Sequence, residues 1–200
     1  MSQKLKSPII AIMRSKAKED ARSLAQGLVL AGITVIEFTT TTSGVFELIE
    51  EFASMKGLQV GVGTALTKSH VKNAKAAGAK FVISPSTSVD IIKQTKKNEM
   101  ISIPGVTTPT DVATAISAGA DFLKLFPASS LGHAYLKALR DPFPGEHWVV
   151  TGGVTTESIK DWKKAGAQYF GLGGPLTNGG LSEIADRVRS FNDQIVDKES

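Results

Sequence analysis

The chain has 200 residues, 42% hydrophobic and 21% charged, with a net charge of +4 and no cysteine. That balance suits one globular domain with a sizeable core, and it excludes a disulfide framework and a thiolate metal site. No run approaches the roughly 18 apolar residues of a membrane span. The lysines are spread along the chain, and even the densest group, Lys93, Lys96 and Lys97, reads as a solvated helix face. We therefore expect no membrane and no nucleic-acid partner. A small anionic substrate suits the sign of the charge, and the absence of a secretory pattern near Met1 leads us to expect a cytoplasmic protein.

Short β-branched runs alternate with amphipathic stretches along the whole chain. A strand is predicted at 8–13, then a helix near 18–31. The next pairs are 33–38 with 44–55, 58–62 with 67–77, and 81–84 with 88–97. Four more follow: 100–103 with 109–118, 122–126 with 133–140, 148–151 with 155–165, and 169–172 with 181–196. Alternation of this kind predicts a parallel sheet covered by helices. Eight βα units predict an α/β fold closed as a single (β/α)8 TIM barrel, one domain over 1–200. The turns Ala31-Gly32, Ala77-Gly78, Ala118-Gly119 and Ala165-Gly166 repeat a helix-ending signature, since glycine accepts the left-handed cap. Ser43, Thr67, Thr108-Pro109 and Thr155-Thr156-Glu157 are expected to start helices. Residues 193–200 are polar and are expected to fray.

The most informative stretch is Asp121-Phe122-Leu123-Lys124-Leu125-Phe126-Pro127. Alternate residues of a strand share a face, so Lys124 lies between Phe122 and Phe126. Burial disfavours the charged amine and lowers its pKa, and a free amine attacks carbonyls to form a Schiff base. The competing reading is an edge lysine that blocks aggregation, but a closed sheet has no edges. Glu37 follows Val35-Ile36 on a strand expected to be buried; it suits proton shuttling near neutrality, or an ion pair with Lys124.

Working residues of such barrels sit at the C-terminal strand ends. There the sequence places Arg14 after the first strand and the run Thr39–Thr42 after the second, either turn chemistry or substrate contact. Gly152-Gly153 and Gly173-Gly174 follow strands seven and eight, where barrels bind phosphate on exposed backbone N–H groups. His70, His133 and His147 lack metal-ligand spacing and read as surface or packing residues, so no metal is expected.

Six motifs in register carry a resemblance. They are Ala31-Gly32-Ile33-Thr34-Val35-Ile36-Glu37, Gly61-Val62-Gly63-Thr64-Ala65-Leu66, Ile83-Ser84-Pro85, Ile103-Pro104-Gly105-Val106, Phe122-Leu123-Lys124-Leu125-Phe126-Pro127-Ala128 and Thr151-Gly152-Gly153-Val154. From Pro8 to about Phe191 the chain resembles the 2-keto-3-deoxy-6-phosphogluconate aldolase family, which includes 4-hydroxy-2-oxoglutarate and 2-keto-3-deoxy-6-phosphogalactonate aldolases. The resemblance implies a Schiff base between Lys124 and pyruvate, proton shuttling by Glu37, and a pyruvate pocket of Thr64, Pro85 and Phe126. It places Thr151 just before the phosphate glycines. It further implies a metal-independent homotrimer with no cofactor, acting on a small 2-keto acid.

Two positions depart. The family's arginine four residues after the glutamate is here Thr41, and the serine after the strand-eight glycine pair is Pro175, which has no N–H. Arg14 is the nearest candidate to supply the missing charge. Two other functions fit the residues alone: a phosphate-binding isomerase or epimerase with Glu37 as base, and a barrel that binds a sugar acid without turnover.

Overall fold

A computed structural model of the protein describes residues 4–195. Its first half runs β1 (Ile9–Met13), α1 (Lys18–Leu30), β2 (Val35–Thr39), α2 (Val45–Ala53), β3 (Gln59–Gly63) and α3 (Lys68–Ala76). Then come β4 (Phe81–Ile83), α4 (Val89–Lys97), β5 (Ile101–Ile103), β6 (Gly105–Val106), α5 (Pro109–Ser117) and β7 (Leu123–Leu125). The remainder is α6 (Ala128–Leu131), α7 (His133–Arg140), β8 (Trp148–Thr151), α8 (Ile159–Lys164), β9 (Tyr169–Leu172), α9 (Gly174–Thr177), a 3-10 turn at Leu181–Glu183 and α10 (Ile184–Ile195).

All the strand pairs are parallel, in the order β5-β4-β3-β2-β1-β9-β8-β7-β6. The predicted fifth strand, 100–103, is β5, and an unpredicted second short segment, β6, follows it beyond Pro104. β5 pairs with β4 and β6 pairs with β7, so the barrel closes through the Ile103-Pro104-Gly105 bend. Proline cannot donate to a ladder, but its carbonyl still accepts the Lys124 N–H at 2.9 Å. The (β/α)8 TIM barrel expected from the alternation is therefore the fold, with nine strand segments for eight units.

The pleat sorts the side chains into two layers. Between strands and helices lies the larger core, including Ile36, Phe38, Val62, Leu123, Leu125, Trp148, Val150 and Trp162. Inside the barrel, Leu5, Ile10, Val35, Phe81, Ile83, Ile101, Ile103, Phe122 and Val149 form a second apolar cluster. Each such side chain, fully buried, is worth roughly 1.5–3 kcal/mol. The inner cluster also plugs the barrel from below.

Several local expectations are met. The four Ala-Gly turns hold glycine at positive φ, from +90° to +101°. Thr67 caps α3 by accepting the His70 N–H, and Thr108 and Asp111 form a reciprocal capping box on α5. Others are corrected. Ser43 does not cap α2, whose N-cap is Gly44 at φ +66°. The helix expected from 155 starts only at Ile159, because Thr155 and Ser158 close on each other: the Thr155 N–H donates to Ser158 Oγ, which donates back to the Thr155 carbonyl, both at 2.9 Å. The tail expected to fray from 193 is helical through Ile195, which is buried on the outer core; residues 196–200 lie outside the described residues.

Close approach, not turn geometry, demands glycine on β3. A β-carbon at Gly61 would fall within the Phe81 ring, and one at Gly63 would fall on the Glu37 carboxylate. These two glycines hollow the wall so that a phenylalanine and a glutamate fit inside. Gly61→Ala should then destabilise the fold by about 1–3 kcal/mol through overpacking. Urea unfolding should show a lower midpoint at unchanged slope; an unchanged midpoint would contradict the packing described.

Candidate active site

Lys124 and Glu37 both point into the barrel, just above the inner apolar cluster. The reading of Lys124 between two phenylalanines on one face holds: Phe122 is buried in the inner cluster, and Lys124 Nζ stands 4.5 Å from the Phe126 ring centroid. Lys124 is 6% exposed and Glu37 is 2% exposed. The register places Glu37 between Ile12 of β1 and Gly61 of β3, and Lys124 between Gly105 of β6 and Val149 of β8. No edge exists here for a protective lysine to guard.

Burial decides the electrostatics. Desolvation pushes the Lys124 amine below the ordinary lysine range, and the Arg14 guanidinium adds to that; the Glu37 carboxylate opposes it. Desolvation likewise pushes Glu37 up, against the smaller pull of Lys124 and then Arg14. Among the described residues Glu37 Oε2 has no hydrogen-bond partner, and the charge of Lys124 still acts on the carboxylate. An amine whose pKa is pushed down and a carboxyl group whose pKa is pushed up face the same small space. That is the arrangement needed to add an amine to a carbonyl and move protons nearby.

Above them opens a cleft of about 340 Å³. Arg14, Phe126, Thr151, Gly152, Gly153, Gly173 and Gly174, all flagged in the sequence, line it. Gly153 fits because the Ser129 side chain at the start of α6 occupies the place of its β-carbon, and the Ser129 N–H donates to the Gly152 carbonyl at 3.0 Å. Pro175 lines the cleft too, with Thr177 and Asn178 from the end of α9. No sequence signal pointed to the last two, because α9 is four residues long and has no periodicity to read.

Thr64, Pro85 and Thr41 do not line the cleft; they end β3, β4 and β2 around the barrel mouth. Thr64 sits at φ +56°, a conformation rare for a β-branched residue. Pro85 packs its carbonyl against Gly105. Thr41 is exposed, with its hydroxyl 2.9 Å from that of Thr39. A larger cavity, about 580 Å³, lies at the opposite end of the barrel among Lys4, Lys6, Lys75 and Lys80. Neither cavity is lined by Lys124 or Glu37, but only the smaller is lined by Phe126, whose ring lies against Lys124 Nζ, so volume alone does not choose the site. The histidines make local contacts: His70 Nδ1 accepts the Leu66 N–H, and His133 packs against Trp162 with centroids 4.1 Å apart and the rings tilted by 59°.

Comparison with known proteins decides the family. The KDPG and KHG aldolase model matches residues 1–189. The chain belongs to the KDPG and KHG aldolase family. A probable 2-dehydro-3-deoxy-6-phosphogalactonate aldolase of Rhizobium meliloti is 34% identical over 190 residues, covering 94% of this chain and 90% of the relative. The solved native KDPGal structure superposes with a TM-score of 0.90 at 28% identity, covering 97% of both chains. KDPG aldolase from Legionella pneumophila, solved with pyruvate captured at low pH as a covalent carbinolamine intermediate, superposes at 0.80 with 27% identity, covering 94% of this chain and 93% of that one. For a KDPG and KHG aldolase family member, the isomerase reading loses its support.

The charges around Lys124 act with opposite signs, so variants should move it in opposite directions. Arg14 lowers its pKa and Glu37 raises it. Arg14→Ala should therefore shift the onset of Lys124 reactivity to higher pH, and Glu37→Gln to lower pH. Competitive acylation of lysines across a pH series, mapped by peptide mass, reads both shifts. Shifts of the same sign, or none, would contradict the placement of these charges.

Proposed function

We propose that the protein is a class I aldolase that cleaves a 2-keto-3-deoxy-6-phospho sugar acid or 4-hydroxy-2-oxoglutarate. The products are pyruvate and an aldehyde, glyceraldehyde 3-phosphate or glyoxylate. The observation that carries this is the burial of Lys124 beside Glu37 inside an apolar barrel. The Lys124 amine adds to the substrate ketone, giving a carbinolamine that loses water to become the protonated imine. The imine draws in the electron pair of the breaking C3–C4 bond as the C4 hydroxyl loses its proton and becomes the aldehyde. The resulting enamine takes a proton at C3, and water releases pyruvate and the free amine. Glu37, raised by desolvation, takes and returns these protons. The imine is itself the electron sink, so this route calls for no metal or cofactor.

The same reading assigns the pocket. Thr64, Pro85 and Phe126 surround the pyruvyl group, and Arg14 takes the carboxylate in place of the family's arginine. Arg14 suits this because its charge acts on both Lys124 and Glu37, while Thr41 is neutral. Thr151 and the N–H groups of Gly152, Gly153, Gly173 and Gly174 face the far end of the substrate, where a phosphate binds at loop and helix starts. We also propose a cytoplasmic homotrimer; Leu30, 89% exposed, and Leu66, 59% exposed, offer apolar surface to another copy.

Pyruvate with borohydride should leave a reduced pyruvyl group on Lys124, located by intact mass and peptide mapping. Glu37→Gln should keep the fold and slow cleavage by about 10²-fold or more. An adduct on another lysine, or no adduct, would overturn the assignment of Lys124; near-wild-type cleavage in Glu37→Gln would leave Glu37 a structural role.

A further inference from the structure

The Thr39–Thr42 run turns the chain, with the Thr42 N–H donating to the Thr39 carbonyl at 2.9 Å, and does more. Its hydroxyls reach sideways to the two neighbouring strands. On the β1 side, buried Thr42 Oγ1 donates to the Met13 carbonyl at 3.4 Å and accepts the Ser15 N–H at 3.3 Å. Met13 and Ser15 flank Arg14. On the β3 side, Thr40 Oγ1 donates to the Thr64 carbonyl at 2.7 Å, and the Thr40 N–H donates to the Gly63 carbonyl at 2.9 Å. Thr64 is the residue held at φ +56°, and a conformation of that kind persists only where its surroundings over-determine it.

Thr39 Oγ1 lies 2.9 Å from Thr41 Oγ1 and 3.3 Å from Thr42 Oγ1, so the three hydroxyls form one cluster whose buried end meets the Met13 carbonyl. Thr41 is neutral and its hydroxyl is engaged with Thr39, so it does not reproduce the bidentate charged contact of an arginine.

We infer that Thr40 and Thr42 are positioning residues, a two-sided clasp that sets Thr64 on β3 and Arg14 on β1 to receive the carboxylate of a 2-keto acid. The inference rests on the aldolase reading above. It explains how the site works with Thr41 in place of an arginine: β2 does not supply the charge but fixes the strand end that does. The β3 arm, at 2.7 Å, is the shorter and firmer one.

The test is the pyruvate dependence of imine trapping and the KM for cleavage in Thr40→Val and Thr42→Val, which keep the shape and remove the hydroxyl. Half-saturating pyruvate and KM should each rise about tenfold, the scale of one lost hydrogen bond. kcat should stay within a factor of about two, because the chemistry at Lys124 is untouched. Thr40→Ser and Thr42→Ser should restore wild-type values. Thr42→Val should have no further effect in an Arg14→Ala background, since its action passes through Arg14. Should a valine variant fail to fold, amide exchange of the wild-type protein decides for the β1 arm: the Ser15 N–H should exchange slowly, and an unprotected Ser15 would overturn that arm. Unchanged KM in both variants, or a full additional loss on top of Arg14→Ala, would overturn the clasp. Wild-type protein without a Lys124 adduct at saturating pyruvate would sink the aldolase reading; a normal adduct with unaltered pyruvate dependence in the variants sinks the clasp alone.

Discussion

Two ionisable groups are held out of water in one small volume, and the rest of the molecule follows from that constraint. Removing each ion from water costs several kcal/mol. The attraction of two unit charges, even at about 4 Å and an effective dielectric of about 20, returns only about 4 kcal/mol. Desolvation wins, as the directions for both groups show: Lys124 is pushed down and Glu37 is pushed up. Burial thereby shifts both groups toward their neutral forms, an amine on one strand and a carboxyl group on another.

Such a site needs a sealed floor and an open roof. The inner cluster around Phe81, Ile101 and Phe122 supplies the floor. Gly61 and Gly63 supply the space in the wall, since any larger residue would displace Phe81 or Glu37. Closure through Pro104 brings β6 against Lys124 and leaves no sheet edge beside it. The roof is the cleft under Arg14 and the two glycine pairs. Arg14 is exposed, so it can meet an incoming anion and still act on both buried groups.

Period-two patterning made the core of this arrangement readable from sequence. Phe122, Lys124 and Phe126 alternate with two leucines, and that alone put the lysine inside a closed sheet. Repeated Ala-Gly turns gave the helix ends. The segment beyond Pro104 was not legible, because a proline at a strand end and a proline at a bend inside a barrel look alike until the pairing partners are known. Ser43 misled for a related reason: a good capping residue lost its place to Gly44, whose left-handed φ starts α2. The threonine run stands out in the sequence, but its partners do not. Its hydroxyls bond to Met13, Ser15 and Thr64, residues some 24 to 29 positions away, and only strand pairing brings them within reach. Asn178 and Thr177 were invisible because a one-turn helix carries no pattern.

The central claim is that the barrel interior makes Lys124 a weak base before any substrate arrives. The most direct measurement is the pKa of the Lys124 side-chain nitrogen in the ligand-free protein, followed by NMR titration with Lys124→Arg to assign the signal. The account predicts a value clearly below the ~10.4 of an unperturbed lysine. A Lys124 value at or above it would mean the charged amine is stabilised inside the barrel, and would contradict the account.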